Sequence, residues 1–138
     1  MISVCICTHN PRWEILRRTL EALAVQEPSP EPWELVIVDN GSQDALTDSE
    51  VGSAQLPVPA RVVREERLGL SYARRRALRE ACGDVLLFVD DDNFLEPGYV
   101  ATVARFMARH PKVGAVGGRG RAVSDRPLPP WFDLVAGQ

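Results

Sequence analysis

Gly83-Asp84-Val85-Leu86-Leu87-Phe88-Val89-Asp90-Asp91-Asp92-Asn93 decides how this chain is read: five apolar residues stop abruptly at three consecutive carboxylates. An uninterrupted apolar run of that length suits a strand buried on both faces, and such strands belong to parallel sheets covered by helices. Three adjacent Asp side chains repel one another unless donors or a cation neutralise them. The carboxyl end of this strand is therefore a candidate site for a hard divalent ion. A solvated loop cap is the other reading of the same triplet, since exposed Asp is common.

Working outward, the same grammar repeats. Ser3 to Cys7 reads as a first buried strand, followed by Thr8-His9-Asn10 and then Pro11, a residue favoured in the first helical turn, with Asn10 as the expected N-cap. Trp13, Leu16, Leu20 and Leu23 recur at helical spacing and predict a helix of about four turns ending before Pro28. Leu35 to Val38 is a second strand, stopped by Asp39-Asn40-Gly41-Ser42. From Gln43 to Pro59 the pattern is weak, with one short helix before Gly52. Arg61 to Arg64 makes a third strand, and Gly69-Leu70-Ser71 a loop and helix cap. Tyr72 to Cys82 is a helix with Ala73, Ala77, Leu78 and Ala81 facing inward. Beyond the acidic triplet, Pro97 opens a helix striped by Val100, Val103, Phe106 and Met107, and Val113 to Val116 reads as a fifth strand. Residues 117–138 show no clear periodicity. A β-α-β-α order of this kind implies a Rossmann-like α/β domain, a mostly parallel sheet with helices on both faces and right-handed crossovers.

Composition narrows the class. The 138 residues, 45% hydrophobic and 25% charged, make one soluble domain with a real core. No apolar run approaches a membrane span and the start lacks a basic signal-peptide region, so a cytoplasmic protein is expected. A net charge of −3 argues against a dedicated nucleic-acid binder, although Arg74, Arg75, Arg76 and Arg79 crowd one segment. Lys112 is the one lysine, which leaves little for chemistries that need a positioned ammonium on phosphate. Cys5, Cys7 and Cys82 lack the paired spacing of a zinc site and read as small buried thiols.

Ligands of parallel α/β sheets bind outside the carboxyl ends of the strands. Three strands here end in polar residues at that edge: Thr8-His9-Asn10, Asp39-Asn40-Gly41 and Asp90-Asp91-Asp92. One shared site explains all three. An acidic cluster for metal, a carboxylate able to accept from a base N–H and nearby arginines describe a place for a nucleoside diphosphate. Mg2+ or Mn2+ would link Asp90 and Asp92 to the phosphates, Asp39 would read the base, and Arg74 would face the phosphates.

The blocks Val4-Cys5-Ile6-Cys7-Thr8-His9-Asn10-Pro11, Glu34 to Ser42, Gly69-Leu70-Ser71-Tyr72-Ala73-Arg74 and Val89-Asp90-Asp91-Asp92-Asn93 resemble, in order and spacing, those of a family 2 glycosyltransferase with the GT-A fold. The resemblance implies an inverting transfer from a nucleotide-sugar donor, a UDP-sugar for preference, to an unknown saccharide, lipid-linked or protein acceptor. It implies that Thr8, Asn10, Asp39, Asn40, Arg74, Asp90 and Asp91 line the donor site, with Asp90-Asp91-Asp92 as the D-x-D motif. Asp92 is the foremost metal ligand and Asp91 lies nearer the sugar or ribose. His9 stands where the family often has tyrosine and reads as a polar turn residue; Arg75 replaces the usual asparagine. The family's carboxylate base belongs to a later acidic motif that Asp125 and Asp133 do not match. The chain is accordingly expected to be an N-terminal portion, cut short at its C-terminus, with 117–138 starting an acceptor-side region. Trp131-Phe132 is either an acceptor-side wall or a cap on apolar surface. The arginine-rich, lysine-poor composition suggests a bacterial source, and the full-length protein is expected in the cytoplasm, with peripheral membrane association at the inner face as a further option. Competing readings are a non-catalytic nucleotide-binding module and a nucleotidyltransferase-like protein. The latter would be expected to carry a glycine-rich loop after the first strand and a phosphate-facing lysine, which this sequence lacks.

Overall fold

A computed structural model of the chain describes residues 1–124, 126–129 and 131–132. Its two longest apolar strands, β1 (Ile2–Thr8) and β2 (Trp33–Asp39), lie side by side at the centre of the sheet, where almost every residue can be buried. The shorter β3 (Ala60–Arg64) and β4 (Val85–Val89) flank them, and all neighbours run parallel in the order β3-β2-β1-β4. Helices α1 (Trp13–Ala24), α2 (Asp48–Gly52), α3 (Leu70–Glu80) and α4 (Tyr99–Arg109) alternate with the strands. No helix among the described residues is long and apolar enough to cross a membrane.

Strand alternation divides the core in two. Ile2, Val4 and Ile6 of β1, with Leu35, Ile37 and Val89, pack against Leu16, Leu20 and Leu23 of α1, Val51 of α2 and Val100 and Ala104 of α4. On the other face Cys5, Val36 and Val38 meet Ala73 and Ala77 of α3. The sheet is thus covered on both sides, as its parallel order requires.

Several local expectations are corrected. Arg12, not Asn10, is the N-cap of α1, because Asn10 adopts a left-handed backbone with φ +48. That helix runs 12 residues, a little over three turns. In α3, Ala73 and Ala77 face the sheet, but Leu78 is 57% exposed. Cys82 is exposed rather than buried. β4 is an edge strand with Phe88 39% exposed, so its apolar run is not enclosed on both faces. Val113 to Val116 forms no strand. Gly114 to Val116 line an open cleft of about 640 Å3 together with β4 and with Tyr99 and Phe106 of α4, so the segment makes no ladder with that edge strand and is not held as a strand.

At the amino edge of the sheet a buried carboxylate binds distant parts of the chain together. Glu34 accepts from the Ser3 hydroxyl (2.6 Å) and the Cys82 N–H (2.7 Å), and pairs with Arg61. Burial pushes its carboxyl up, but these three donors pull it further down, from 4.5 to about 2. Since the folded value lies below the unfolded one, the stabilisation is complete above about pH 4.5 and disappears as pH falls toward 2. Glu34→Gln is expected to lower stability by about 3 kcal/mol at neutral pH. It should also flatten the acid limb, which urea unfolding of both proteins at pH 7 and pH 3 would measure.

Candidate functional site at the carboxyl edge of the sheet

After β1 the chain builds the sheet outward through β2 and β3, then returns to place β4 on the other side of β1. The crevice of such a sheet opens where this reversal occurs, between the carboxyl ends of β1 and β4. Register dictates who meets there. Ile6 is paired with Val89, so continuing two residues along each strand brings Thr8 level with Asp91. The Thr8 hydroxyl indeed donates to the Asp91 carboxylate.

The turn that follows is fixed from two further directions. Thr19 of α1 donates to the main-chain carbonyl of Asp91 at 2.9 Å, and the Asn93 N–H closes back on the Asp90 carbonyl at 3.1 Å. Asp91 is thereby turned inward and half-buried, whereas Asp90 and Asp92 are exposed. Among the described residues no three His, Cys, Asp or Glu side chains converge as a cage for a metal. Two exposed carboxylates on a braced turn still fit Mg2+ or Mn2+, which take one or two carboxylates from protein and complete their shells with phosphate oxygens and water.

The second polar strand end is a loop held by its own side chains. Asp39, 1% exposed, accepts from the Ser42 N–H (3.0 Å), the Leu46 N–H (3.2 Å) and the Arg64 guanidinium (2.8 Å). Burial pushes its carboxyl up, and these donors more than offset it, leaving the group below the usual carboxylate range. Next to it Asn40 donates to the carbonyls of Glu65 (3.0 Å) and Arg67 (2.7 Å) and accepts from the Gly69 N–H (2.8 Å). Gly69 itself has φ +130, a conformation that a side chain would strain. Asp39 and Asn40 thus spend most of their hydrogen-bonding capacity joining the ends of β2 and β3 to the start of α3.

His9 and Asn10 close the gap between the first two strand ends. The ring nitrogen Nδ1 of His9 lies 2.7 Å from the Asn40 carbonyl, which can only accept, so Nδ1 carries a proton. Asn10 receives the Gln43 N–H on Oδ1 (2.8 Å) and donates its own N–H to the Ser42 hydroxyl (2.8 Å). His9 therefore serves the turn, as its polarity suggested, and Asn10 belongs to the site's frame instead of a helix cap.

Arg74 projects from α3 with its guanidinium 5.6 Å from the centre of the Phe88 ring, two residues before Asp90. The half-buried Cys7 reports the same neighbourhood: burial pushes its thiol up to about 11, Arg74 pulls it down and Asp90 pushes it up. Thr8, Asn10, Asp39, Asn40, Arg74 and the three Asp residues accordingly share one edge. Asp125 and Asp133 lie outside the described residues. Phe132 lines an open cleft of about 670 Å3 with Glu96, Arg119, Arg121 and Leu128, and Trp131 is exposed.

Three residues of this frame escaped the sequence reading: Thr19, Arg64 and Glu65. Thr19 alone carried a usable signal. It interrupts the inward stripe of Leu16, Leu20 and Leu23, and a hydroxyl on a buried helix face must find a partner.

The family model described as Glycosyl transferase family 2 matches residues 3–134. A glucosyl-dolichyl phosphate glucuronosyltransferase of Haloferax volcanii is 30% identical over 118 residues, 85% of this chain and 37% of that protein. The structure of S. aureus TarS 1-349 in complex with UDP is similar with a TM-score of 0.69 and 29% identity over 89% of this chain and 38% of that one; TarS has also been solved with UDP-GlcNAc. The mannosyltransferase PcManGT from Pyrobaculum calidifontis, in complex with GDP-Man and Mn2+, gives a TM-score of 0.57 and 28% identity over 66% of this chain and 27% of that one. The chain thus spans well under half the length of each of these proteins.

Proposed function

The chain belongs to glycosyl transferase family 2, and from that membership we propose that it forms the donor-binding part of an inverting, metal-dependent glycosyltransferase whose preferred donor is a UDP-sugar. The observation that carries this reading is the braced acidic turn. Thr8 holds Asp91 inward and leaves Asp90 and Asp92 exposed as a pair of carboxylates, at the point where the sheet's crevice opens.

Asp90 and Asp92 would hold Mg2+ or Mn2+ together with the donor's diphosphate. When bound, the ion would neutralise charge that builds on the departing diphosphate. Arg74 adds a second positive charge on the same side and is able to swing from the Phe88 ring toward a phosphate. Thr8, Asn10 and the loop organised by Asp39 and Asn40 form the floor on which the nucleoside rests, with the braced Asp91 directed toward the ribose or sugar. Displacement at the anomeric carbon also needs a base to take the acceptor's proton, a group worth about 10²–10⁴ in rate. None of the residues placed at this edge is assigned that role. The acceptor is a saccharide, a lipid-linked carrier or a protein, and the full-length enzyme works in the cytoplasm, with the inner face of the membrane as its docking place if the acceptor is lipid-linked.

Calorimetric titration with UDP, GDP and dTDP, each with Mn2+ and with EDTA, tests the donor reading. UDP is expected to bind, and to bind more tightly with Mn2+. A folded sample that takes none of the three nucleotides would overturn the proposal, and tight binding with no metal dependence would remove the metal from it.

A further inference from the structure

The geometry points to Thr19, a buried residue of α1, as a positioning residue for the acidic turn; the inference rests on the donor-site reading above. Thr19 is fully buried beneath the crevice and reaches across 72 positions of sequence to the Asp91 carbonyl. Its hydroxyl has one proton, and of the two carbonyls in range Asp91 at 2.9 Å is nearer than Ile15 at 3.4 Å. A polar group in that apolar stripe costs stability unless it is hydrogen-bonded. The bond it forms goes to the middle residue of the triplet.

The turn therefore has two independent braces. Thr8 of β1 holds the Asp91 side chain, and Thr19 of α1 holds its backbone. With both in place the backbone at Asp91 is fixed, and it limits the directions open to the neighbouring Asp90 and Asp92 side chains. Further along, the segment is fastened by separate contacts to the residues that follow α1. Gln26 donates to the Glu96 carbonyl (2.9 Å) and accepts from the Val100 N–H (3.0 Å), and the Glu27 N–H donates to the Pro97 carbonyl (2.7 Å). Since α4 has no side-chain cap of its own, Gln26 supplies one of its missing N-terminal partners. Losing Thr19 should consequently relax the 90–93 turn without detaching the segment.

Thr19→Val keeps the shape and removes the hydroxyl, and Thr19→Ser keeps the hydroxyl. UDP is titrated into the native chain and both variants, with Mn2+ and with EDTA. Thr19→Val is expected to bind UDP at least about tenfold more weakly with Mn2+, the size of effect typical of groups that orient a metal ligand, and equally well in EDTA; Thr19→Ser should restore the metal-linked gain. Equal weakening with and without Mn2+, or a Ser variant as poor as Val, would mean a structural role only and overturn the inference. Unchanged affinity in Thr19→Val would overturn it as well while leaving the donor site standing. If the native chain binds no nucleotide, the donor reading fails first and takes this inference with it. Thr19→Ala, which removes the same hydroxyl without a branched side chain, replaces Val in these comparisons should the Val variant not fold.

Discussion

Asp39→Ala is expected to destabilise the folded chain by about 3–5 kcal/mol, a penalty that belongs to a structural carboxylate. The substitution would remove the acceptor of the Ser42 and Leu46 N–H groups at once and strip Arg64 of its partner on β2. Unsatisfied buried donors cost about 1–3 kcal/mol each. The Arg64 contribution is smaller, because that side chain is 36% exposed and water screens its pairing. Asp39→Asn separates the two effects: it keeps an oxygen for one N–H but turns an amide NH2 against another donor, and should fall between the native chain and Ala. The carboxyl's depressed value adds a pH signature. Its stabilisation is present above the ordinary carboxylate range and fades as the pH falls through the folded value, so the gap between the native chain and Asp39→Ala should narrow in strong acid. Urea unfolding as a function of pH measures all of this. A loss below about 1 kcal/mol at neutral pH would mean that the 39–42 loop is held by other contacts.

The distinction matters for function. Roughly four acceptor positions exist on a carboxylate, and three on Asp39 already point at internal donors. Nucleotide binding lost in an Asp39 variant would therefore come largely through collapse of the floor formed with Asn40, and only a stability measurement alongside can tell this from a lost base contact.

What could be read from the residues alone follows the physics of each signal. Strand and helix order was legible because apolar periodicity records burial, and burial follows directly from the layers: Leu16, Leu20 and Leu23 on α1, Val4 to Ile6 of β1 and Leu35 to Val38 of β2 are all in the core. The shared edge was legible because parallel strands must end on the same side. Pairing partners were not. Val113 to Val116 has the composition of a strand, yet a strand exists only by its neighbour, and nothing in those residues tells that the space beside β4 stays open. Leu78 shows the converse, since helical spacing places it near the inward arc of α3, while the narrow contact made by Ala73 and Ala77 leaves it outside. The Asn10 cap failed for a local reason: a short polar side chain suits an N-cap and a left-handed turn equally well, and the Ser42 and Gln43 contacts across the loop decide for the turn. For Thr19 the sequence shows a hydroxyl on a buried stripe that needs a partner, but nothing local identifies that partner as Asp91, 72 residues away.

Within the acidic triplet the three carboxylates should respond differently to the same change. Asp92→Asn and Asp90→Asn each remove a charge from an exposed side chain while leaving its size intact. Loss of groups that merely orient a ligand costs about 10–100-fold in metal affinity, so losing a direct ligand is expected to weaken Mn2+-dependent UDP binding by about 100-fold or more at Asp92, with Asp90 close behind. Both variants should keep native stability, because neither side chain is buried. Asp91→Asn is expected to behave in the opposite way, since its carboxylate accepts from Thr8 and an amide oxygen can accept the same bond. The metal-linked gain should survive in that variant, reduced by the loss of one nearby charge, whereas Asp91→Ala should lose the brace and with it much of the gain. Calorimetry with and without Mn2+ on the four variants gives the ranking. If Asp91→Asn instead proves as damaging as Asp92→Asn, the inward carboxylate must leave Thr8 when nucleotide and metal arrive, and the braced turn would then be the resting form of the site from which the ligand set is drawn.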